Sequence, residues 1–374
     1  MEGCSSGRRM RINKLVLRNF RNYSELSIGF KDNINILIGN NAQGKTNILE
    51  AMYLGAIGRS HRTSVESDLV RWSETMSAVE ISFIRQDIDN KLLFKLKTDT
   101  AREIYFNEYP IKLKELVGSL NIVLFSPEDL WLIKGVPALR RRFLDVEISQ
   151  AVPTYYRYLM QYSRILSQRN NLLKKIRERK ESASLLDSWD DQLAKAAVYI
   201  VNKRLESIKK LGMLANLMQR KLTASKENLT IVYKQANGEE CIPKDLYGWY
   251  LKKLVTLKND DIMRGTTSVG PHRDDIILKV NDKDLRSFGS QGQQRTGILA
   301  LKLAELEFLK SETGEYPILL MDDVMSELDI KRRQQLLLFI HNRIQTFITA
   351  TDDALFPDKK IGHYYRISAG TIVE

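Results

Sequence analysis

The chain has 374 residues, more than the ~250–300 at which a single hydrophobic core stops growing, so about two domains are expected. Lys and Arg number 58 against 46 Asp and Glu, a net charge of +12, and that excess points to polyanionic partners. With 43% hydrophobic residues, 28% charged residues and eight prolines, the disordered, collagen-like and low-complexity classes are excluded.

Met1 to Arg9 hold no apolar run and precede a second methionine, Met10, so residues 1–9 read as a tag remnant or an uncertain start. Strands are predicted at Lys14–Leu17, Asn33–Ile38, Val79–Ile84, Leu92–Leu96 and Ile104–Phe106, with a helix at Asn47–Leu54. Two long amphipathic helices follow. Tyr155, Leu159, Tyr162, Ile165 and Leu166 recur at three- and four-residue steps, as do Leu193, Ala196, Ala197, Ile200, Val201, Leu205 and Ile208. Ser184, Asp187, Ser188 and Asp191 supply a break and an acidic first turn between them, so a helical hairpin is expected. Further on come a strand at Leu229–Tyr233, a helix at Leu246–Leu257, a strand at Ile276–Val280 and a helix at Thr296–Leu309. A strand at Ile318–Met321, a helix from Lys331 and a strand at Thr346–Ala350 complete the order. The predicted fold class is α/β, one mixed domain built from 10–135 and 266–374 and interrupted by a basic helical insertion at 136–265. No stretch of 18 apolar residues occurs, so no membrane span is predicted. Cys4 and Cys241 lie far apart and outside any metal-spaced cluster, which excludes disulfide and zinc-ribbon frameworks and fits a reducing cytoplasm.

The charge is local. Trp131 to Thr230 holds 20 Lys and Arg against 9 Asp and Glu, a net of +11, and the rest of the chain is nearly neutral. Arg169, Lys174, Lys175, Arg177, Arg179 and Lys180 form a dense run, with Lys203, Arg204, Lys209, Lys210, Arg220 and Lys221 on the returning helix. A solvated helix face is the plain alternative for each residue. The segmental excess favours phosphate contact, with Lys174, Lys175, Arg177, Arg179, Lys209 and Lys210 as the candidate phosphate-contact residues. No base-reading motif is evident, so binding is expected to be backbone-directed and salt-sensitive. Tyr155, Tyr156, Tyr158 and Tyr162 offer either stacking surfaces or ordinary helix packing.

Gly39, Asn40, Asn41, Ala42, Gln43, Gly44, Lys45 and Thr46 satisfy the G-x-x-x-x-G-K-[ST] pattern, with an apolar strand before and a helix after. Glycines let the backbone curl its N–H groups inward, and the helix start adds a positive dipole end; together they cradle β- and γ-phosphates. Lys45 would neutralise phosphate charge, and Thr46 would ligate Mg2+. Ile318 to Met321 run into Asp322 and Asp323, as a Walker B strand requires. Asp322 would sit beside the metal and Asp323 would orient or deprotonate water. The competing reading is a core strand whose carboxylates cap the next turn. His61 and Arg62 follow the Walker A helix closely enough to reach the adenine or ribose, or else form a solvated turn. His272 and Arg273 either line an inner face or brace the turn into the following strand.

Ser290-x-Gly292-Gln293-Gln294-Arg295 resembles the signature motif of ABC-type ATPases, with Gln291 where the usual motif has glycine. In those heads the signature acts in trans, so the resemblance implies that Ser290, Gly292 and Gln293 close over another subunit's γ-phosphate. Ser326-Glu327-Leu328-Asp329 is similar to their D-loop, with Ser326 and Asp329 as its polar members. The runs Leu15–Tyr23, Gly58–Thr63, Phe125–Leu130, Arg140–Asp145, Gly270–Asp275 and Asp322–Asp329 together resemble the bacterial RecF family.

That resemblance implies an ABC/SMC-type P-loop ATPase head with an inserted α-helical arm, ATP and Mg2+ as cofactors, weak ATP hydrolysis and an ATP-dependent homodimer. It implies a cytoplasmic protein of DNA replication, DNA repair and the SOS response that binds gapped duplex and single-strand/double-strand junctions. RecR would be its partner, with RecO and RecA in the pathway. Asp323 stands where most such heads have glutamate and Thr351 where many have the switch histidine, a pair of departures that suits slow turnover. No Gln matches the family's metal-side loop; Ser126–Asp129 falls in that region. Competing readings are a transporter's ATPase subunit and an SMC-type structural tether, the latter disfavoured because about 70 helical residues cannot form long heptad arms.

Overall fold

The computed structural model describes residues 9–236, 238, 243–356 and 360–373. Cys4, Cys241 and residues 1–8 of the uncertain start lie outside them. The chain divides into two compact units, Met1–Asp129 with Lys302–Glu374, and Leu130–Leu301.

The first unit holds two six-stranded sheets. One is antiparallel, in the order Tyr23–Gly29, Arg11–Phe20, Met76–Arg85, Ile88–Lys97, Glu103–Phe106, Tyr109–Pro110. The other runs Thr371–Val373, His363–Ser368, Ile34–Ile38, Thr346–Ala350, Ile318–Met321, Ile122–Phe125, and its members are parallel except for the antiparallel edge Thr371–Val373. Ile34–Ile38, Ile318–Met321 and Thr346–Ala350 are buried at every position. That explains why they read as continuous apolar runs, without the alternation of a half-exposed strand. The helix Lys45–Ile57 buries ten of its residues, from Lys45 to Ala56. It shares one core with Leu15, Leu17, Val79 and Ile81 of the antiparallel sheet and Leu37, Leu320 and Phe347 of the parallel one. A helix apolar on all sides has to be enclosed in this way.

The second unit is built on the helices Pro137–Ala151, Pro153–Arg177 and Leu186–Leu222. The last two form the expected hairpin and are 25 and 37 residues long. A three-stranded antiparallel sheet, Lys283–Asp284, Asp275–Val280, Leu229–Lys234, belongs to the same unit. Its core joins Tyr155, Tyr162, Ile200 and Ile208 of the hairpin to Tyr233 and Ile276 of the sheet.

The limits of compactness therefore differ from those drawn on the sequence, since 266–301, signature included, belongs with the helical unit. Sheet pairing is the reason. Ile276 to Val280 pair with Leu229 to Tyr233, and Arg140 holds Asp275 through two 2.8 Å hydrogen bonds. The strands Tyr23–Gly29, Ile122–Phe125 and His363–Ser368 and the helix Pro137–Ala151 were not among the expected elements.

Two members of the basic run prove to be internal. Arg169 is fully buried, its guanidinium bonded to Asp190 at 2.6 Å and to Asp261 and Thr267 at 2.8 Å. Arg204 is buried as well, gripping Asp145 with Nε and one terminal nitrogen while the other terminal nitrogen donates to the Pro271 carbonyl at 2.6 Å. These arginines complete buried networks and have no free face for phosphate. Tyr155 and Tyr162 are buried, and Tyr158 stacks on Tyr199 at 3.8 Å, so these tyrosines pack the arm. His272 bonds Tyr162 Oη at 2.6 Å and the Thr267 carbonyl at 3.2 Å, and burial lowers its pKa to about 4. With Arg273, which donates to the same carbonyl, it braces the turn before Asp275–Val280.

Candidate nucleotide site

The site lies outside the carboxyl ends of the parallel strands, where open α/β sheets bind ligands. Strand Thr346–Ala350 sits between the Walker A strand Ile34–Ile38 and the Walker B strand Ile318–Met321, so all three end at one place. Gly44 precedes the helix Lys45–Ile57 with φ 112, a conformation that favours glycine, and offers no side-chain cap. The first N–H groups of that helix are thus left for an anion. A Cβ on Gly44 would also meet Asn22 and the Tyr23 hydroxyl at 2.7 Å.

Lys45 Nζ donates to the carbonyls of Gly39 at 2.6 Å and Asn40 at 2.8 Å, arching over the loop. Burial pushes its pKa down, and the charges of Asp323 and Asp322 oppose that shift. Thr46 Oγ1 donates to Asp322 Oδ1 at 2.9 Å, and Thr349 Oγ1 donates to the same oxygen at 2.8 Å. Asp323 has φ 56, and its N–H donates to Thr349 Oγ1 at 2.9 Å. Thr349 therefore fixes both Walker B acids. Burial raises the Asp323 pKa; the Asp322 charge adds to this and Lys45 works against it. Hydroxyl, carboxylate and ammonium thus converge. Mg2+ favours a few hard oxygens such as Thr46 Oγ1 and Asp322 with phosphate oxygens completing its shell, so the donor set fits it.

Asn40, Asn41 and Ala42 form the exposed crest of the loop. Gln43 is turned into the protein: its carbonyl accepts from Asn22 Nδ2 at 3.1 Å and from Gly370 N at 3.2 Å. Its side-chain oxygen accepts from Ala369 N at 2.5 Å. Among the described residues, the Tyr23 hydroxyl is buried beneath Gly44 with no hydrogen-bond partner.

His61 packs edge-to-face on Tyr53 at 5.3 Å, with Nδ1 buried and unpartnered, and burial lowers its pKa. Arg62 reaches Asn47 Oδ1 at 2.8 Å and Glu50 Oε2 at 3.3 Å. Glu50 is a buried carboxylate on the Walker A helix, held by Arg21 through two bonds of 2.7 and 2.9 Å and by Ser60 at 2.5 Å. Burial alone would raise its pKa; the hydrogen bonds from Arg21 and Ser60 and the charges of Arg21 and Arg62 outweigh it and hold the carboxyl low.

Ser126 follows the strand Ile122–Phe125 beside Walker B, where the Asp322 N–H donates to the Phe125 carbonyl at 2.9 Å. Its own N–H donates to Asp129 Oδ2 at 2.8 Å, and Asp129 pairs with buried Lys302 at 3.1 Å. Ser326 Oγ donates to the Asp323 carbonyl at 2.7 Å, and Asp329 caps the helix Ile330–Ile340 through Arg332 N at 2.8 Å. In the second unit, Ser290 and Gln293 form a reciprocal cap at the start of the helix Gln291–Thr313. Gln293 N donates to Ser290 Oγ at 3.2 Å and Ser290 N to Gln293 Oε1 at 3.0 Å. Ser290 and Gly292 are exposed. Lys174, Lys175, Arg177, Arg179, Lys209 and Lys210 are exposed too; Lys175 lies 3.9 Å from Glu181, and Arg177 donates to the Met263 carbonyl at 3.4 Å.

Sequence reasoning missed Asn22, Thr349 and the Arg21–Glu50 pair. Thr349 carried a weak signal, as the penultimate residue of the expected strand Thr346–Ala350, which the sequence did not place at the site.

The chain's residues 11–369 match the RecF/RecN/SMC N-terminal domain. It is 45% identical over 348 residues to the DNA replication and repair protein RecF of Halothermothrix orenii, covering 92% of each, and 42% identical over 366 residues to that of Acetivibrio thermocellus, covering 96% and 99%. The chain belongs to the RecF family of DNA replication and repair proteins. Its fold matches a solved structure of the recombination mediator protein RecF with ATP, from the RecFOR pathway, with a TM-score of 0.92 at 35% identity over 100% of this chain and 99% of that one. A solved Smc head bound to the C-terminal winged-helix domain of ScpA, 17% identical over 96% and 95% of the chains, shares the fold at a TM-score of 0.56. This RecF-family chain is thus an SMC-like ABC-type ATPase head in its fold. No helix among the described residues is long and apolar enough to cross a membrane.

Proposed function

We propose that this chain is a cytoplasmic, ATP-switched dimeric clamp of recombinational repair and replication restart. The observation that carries the reading is the meeting of Thr46, Asp322 and Thr349 beside Lys45 at the mouth of an uncapped helix. Lys45 and the loop Gly39 to Thr46, through its N–H groups from Asn40 onward, hold the β- and γ-phosphates. Thr46 and Asp322 hold Mg2+, which when bound screens phosphate charge. Asp323 orients the attacking water and, when ionised, accepts its proton. Its shorter side chain and the absence of histidine at Thr351 make hydrolysis slow, so ATP times a clamp instead of driving rapid turnover.

Ser290, Gly292 and Gln293 act on the nucleotide of a second copy, and Ser326 and Asp329 lie along the same contact. Ser290 and Gly292 lie exposed at the start of a 23-residue helix, which supports that reading. Lys174, Lys175, Arg177, Arg179, Lys209 and Lys210 contact the phosphates of gapped duplex or single-strand/double-strand junctions. RecR is the partner, with RecO and RecA acting in the same pathway, as membership of a family that includes a RecFOR mediator supports.

Sedimentation with and without Mg2+, ATP and gapped duplex tests the proposal. A shift from monomer to dimer on ATP, stabilised by DNA and reversed by hydrolysis, is expected. A monomer under all conditions would overturn the clamp, and nucleotide-independent copurification with a membrane protein would favour a transporter subunit.

A further inference from the structure

We infer that Asn22 and the hairpin His363–Val373 form a clamp on Gln43 that sets nucleotide affinity from behind the Walker A loop, through groups that do not touch the nucleotide. The inference rests on the ATP reading above and deepens it.

Strand His363–Ser368 pairs with the Walker A strand as far as Arg366 and Ile38. It then continues alongside the loop. A Cβ on Gly39 would run into the Ile367 carbonyl, so the strand is pressed against the loop's first residue. Two residues on, the hairpin turns at Ala369 and Gly370, both left-handed with φ 48 and 75. A left-handed alanine is sterically unfavourable and persists only where its surroundings hold it. Here the turn aims two N–H groups at one residue: Ala369 N at Gln43 Oε1, 2.5 Å, and Gly370 N at Gln43 O, 3.2 Å.

Asn22 closes the clamp from the hairpin Arg11–Gly29. Its Nδ2 donates to the same Gln43 carbonyl at 3.1 Å, while its Oδ1 accepts from Asn47 Nδ2 at 2.8 Å, on the first turn of the Walker A helix. A Cβ on Gly370 would stand 3.1 Å from the Asn22 carbonyl, so the two arms of the clamp touch each other. Both lone pairs of the Gln43 carbonyl are thereby engaged.

The consequence follows from peptide geometry. Carbonyl and N–H of a trans peptide point to opposite sides of the chain. Anchoring the Gln43 carbonyl into the protein, against Asn22 and Gly370, turns the Gly44 N–H to the opposite side, toward the phosphate side of the loop. A loop held in its binding curve before the ligand arrives loses less freedom on binding, and that gain appears in affinity and not in the chemical step. Coupling is reciprocal, so a bound nucleotide has to steady Ala369 and Gly370 in turn.

The test uses the full chain, unmodified and as Asn22→Ala, with Mg2+ and ATP or the slowly hydrolysed analogue ATPγS. In the variant, Kd for ATP should rise about tenfold while turnover at saturating ATP stays within about twofold. In the unmodified chain, the analogue should slow hydrogen exchange at the Ala369 and Gly370 amides, and the slowing should shrink in the variant. A merely structural role would lower the melting temperature without moving this nucleotide-dependent difference. Exchange at both amides indifferent to a nucleotide that does bind, or an unchanged Kd in Asn22→Ala, would overturn the inference. Turnover lost at constant Kd would do so too, by placing Asn22 in the chemistry. The exchange arm needs no variant and stands even if Asn22→Ala folds poorly. Failure of the unmodified chain to bind ATP at all would instead strike the ATPase reading, and this inference with it.

Discussion

Thr46 and Asp322, 276 positions apart in the chain, are joined by a 2.9 Å hydrogen bond from the threonine hydroxyl to Asp322 Oδ1. Thr349 donates to the same oxygen from the strand between them. Two motifs distant in sequence are thus one site. Asp322→Asn keeps size and loses charge, so Mg2+-dependent hydrolysis should fall by at least about a hundredfold with ATP binding largely kept. Thr349→Val should lower turnover less, since it frees both acids without removing either. Stopped-flow nucleotide binding beside steady-state hydrolysis separates the two effects.

Asp323 gives a pH signature. Burial and the neighbouring Asp322 raise its pKa above the ordinary 3.8. A proton acceptor works only when ionised, so turnover at saturating ATP should fall as pH drops through that raised value, and at a higher pH than an exposed aspartate would give. In Asp323→Asn the residual rate should lose this acidic limb. An unchanged limb in the variant would assign it to another group.

Glu50 is a stability site. It is buried and paired with Arg21 and Arg62. Glu50→Gln strands Arg21 and should cost about 3 kcal/mol, read as a lower denaturation midpoint of the unit that contains it. Because its folded pKa is depressed below 4.5, this stability is present above the ordinary glutamate value and is lost as pH falls through the depressed one. The Gln variant should therefore show a flatter acid limb of stability.

The arm separates into two kinds of basic residue. Reversing Lys174, Lys175, Arg177 and Arg179 to Glu should weaken duplex binding and flatten its salt dependence, each lost phosphate contact removing up to ~0.9 from the slope. Arg204→Ala should instead destabilise the helical unit by about 3–5 kcal/mol, since Asp145 would be left unpaired. Salt titration of DNA binding, beside thermal melting, distinguishes the groups. Unaltered DNA affinity in the quadruple variant would move the DNA site off the arm.

The parallel strands were legible because burial on both faces demands unbroken apolar runs, and the long helices because one apolar stripe recurs at helical steps. Asn22 and Gln43 were harder to read. Their roles come from hydrogen bonds between separate segments, 21 and 25 residues apart for Asn22 and 326 for Gln43 and Ala369, and a polar residue in a loop carries no mark of its partner. Arg169 and Arg204 misled for the related reason that net charge counts cations without showing which are neutralised inside. The antiparallel strand Tyr23–Gly29 was missed because its burial alternates irregularly, and Pro137–Ala151 because its basic residues obscured its apolar face.

Mixing two defective chains tests whether the nucleotide site is shared between two copies. Lys45→Ala removes the phosphate-binding lysine, and Ser290→Arg fills the signature position while leaving ATP binding intact. Each variant alone should hydrolyse ATP at background rate. An equimolar mixture should regain hydrolysis, because a mixed dimer contains one unaltered Walker A facing one unaltered signature. A mixture no more active than its components, with both chains folded and Ser290→Arg still binding ATP, would contradict the shared site.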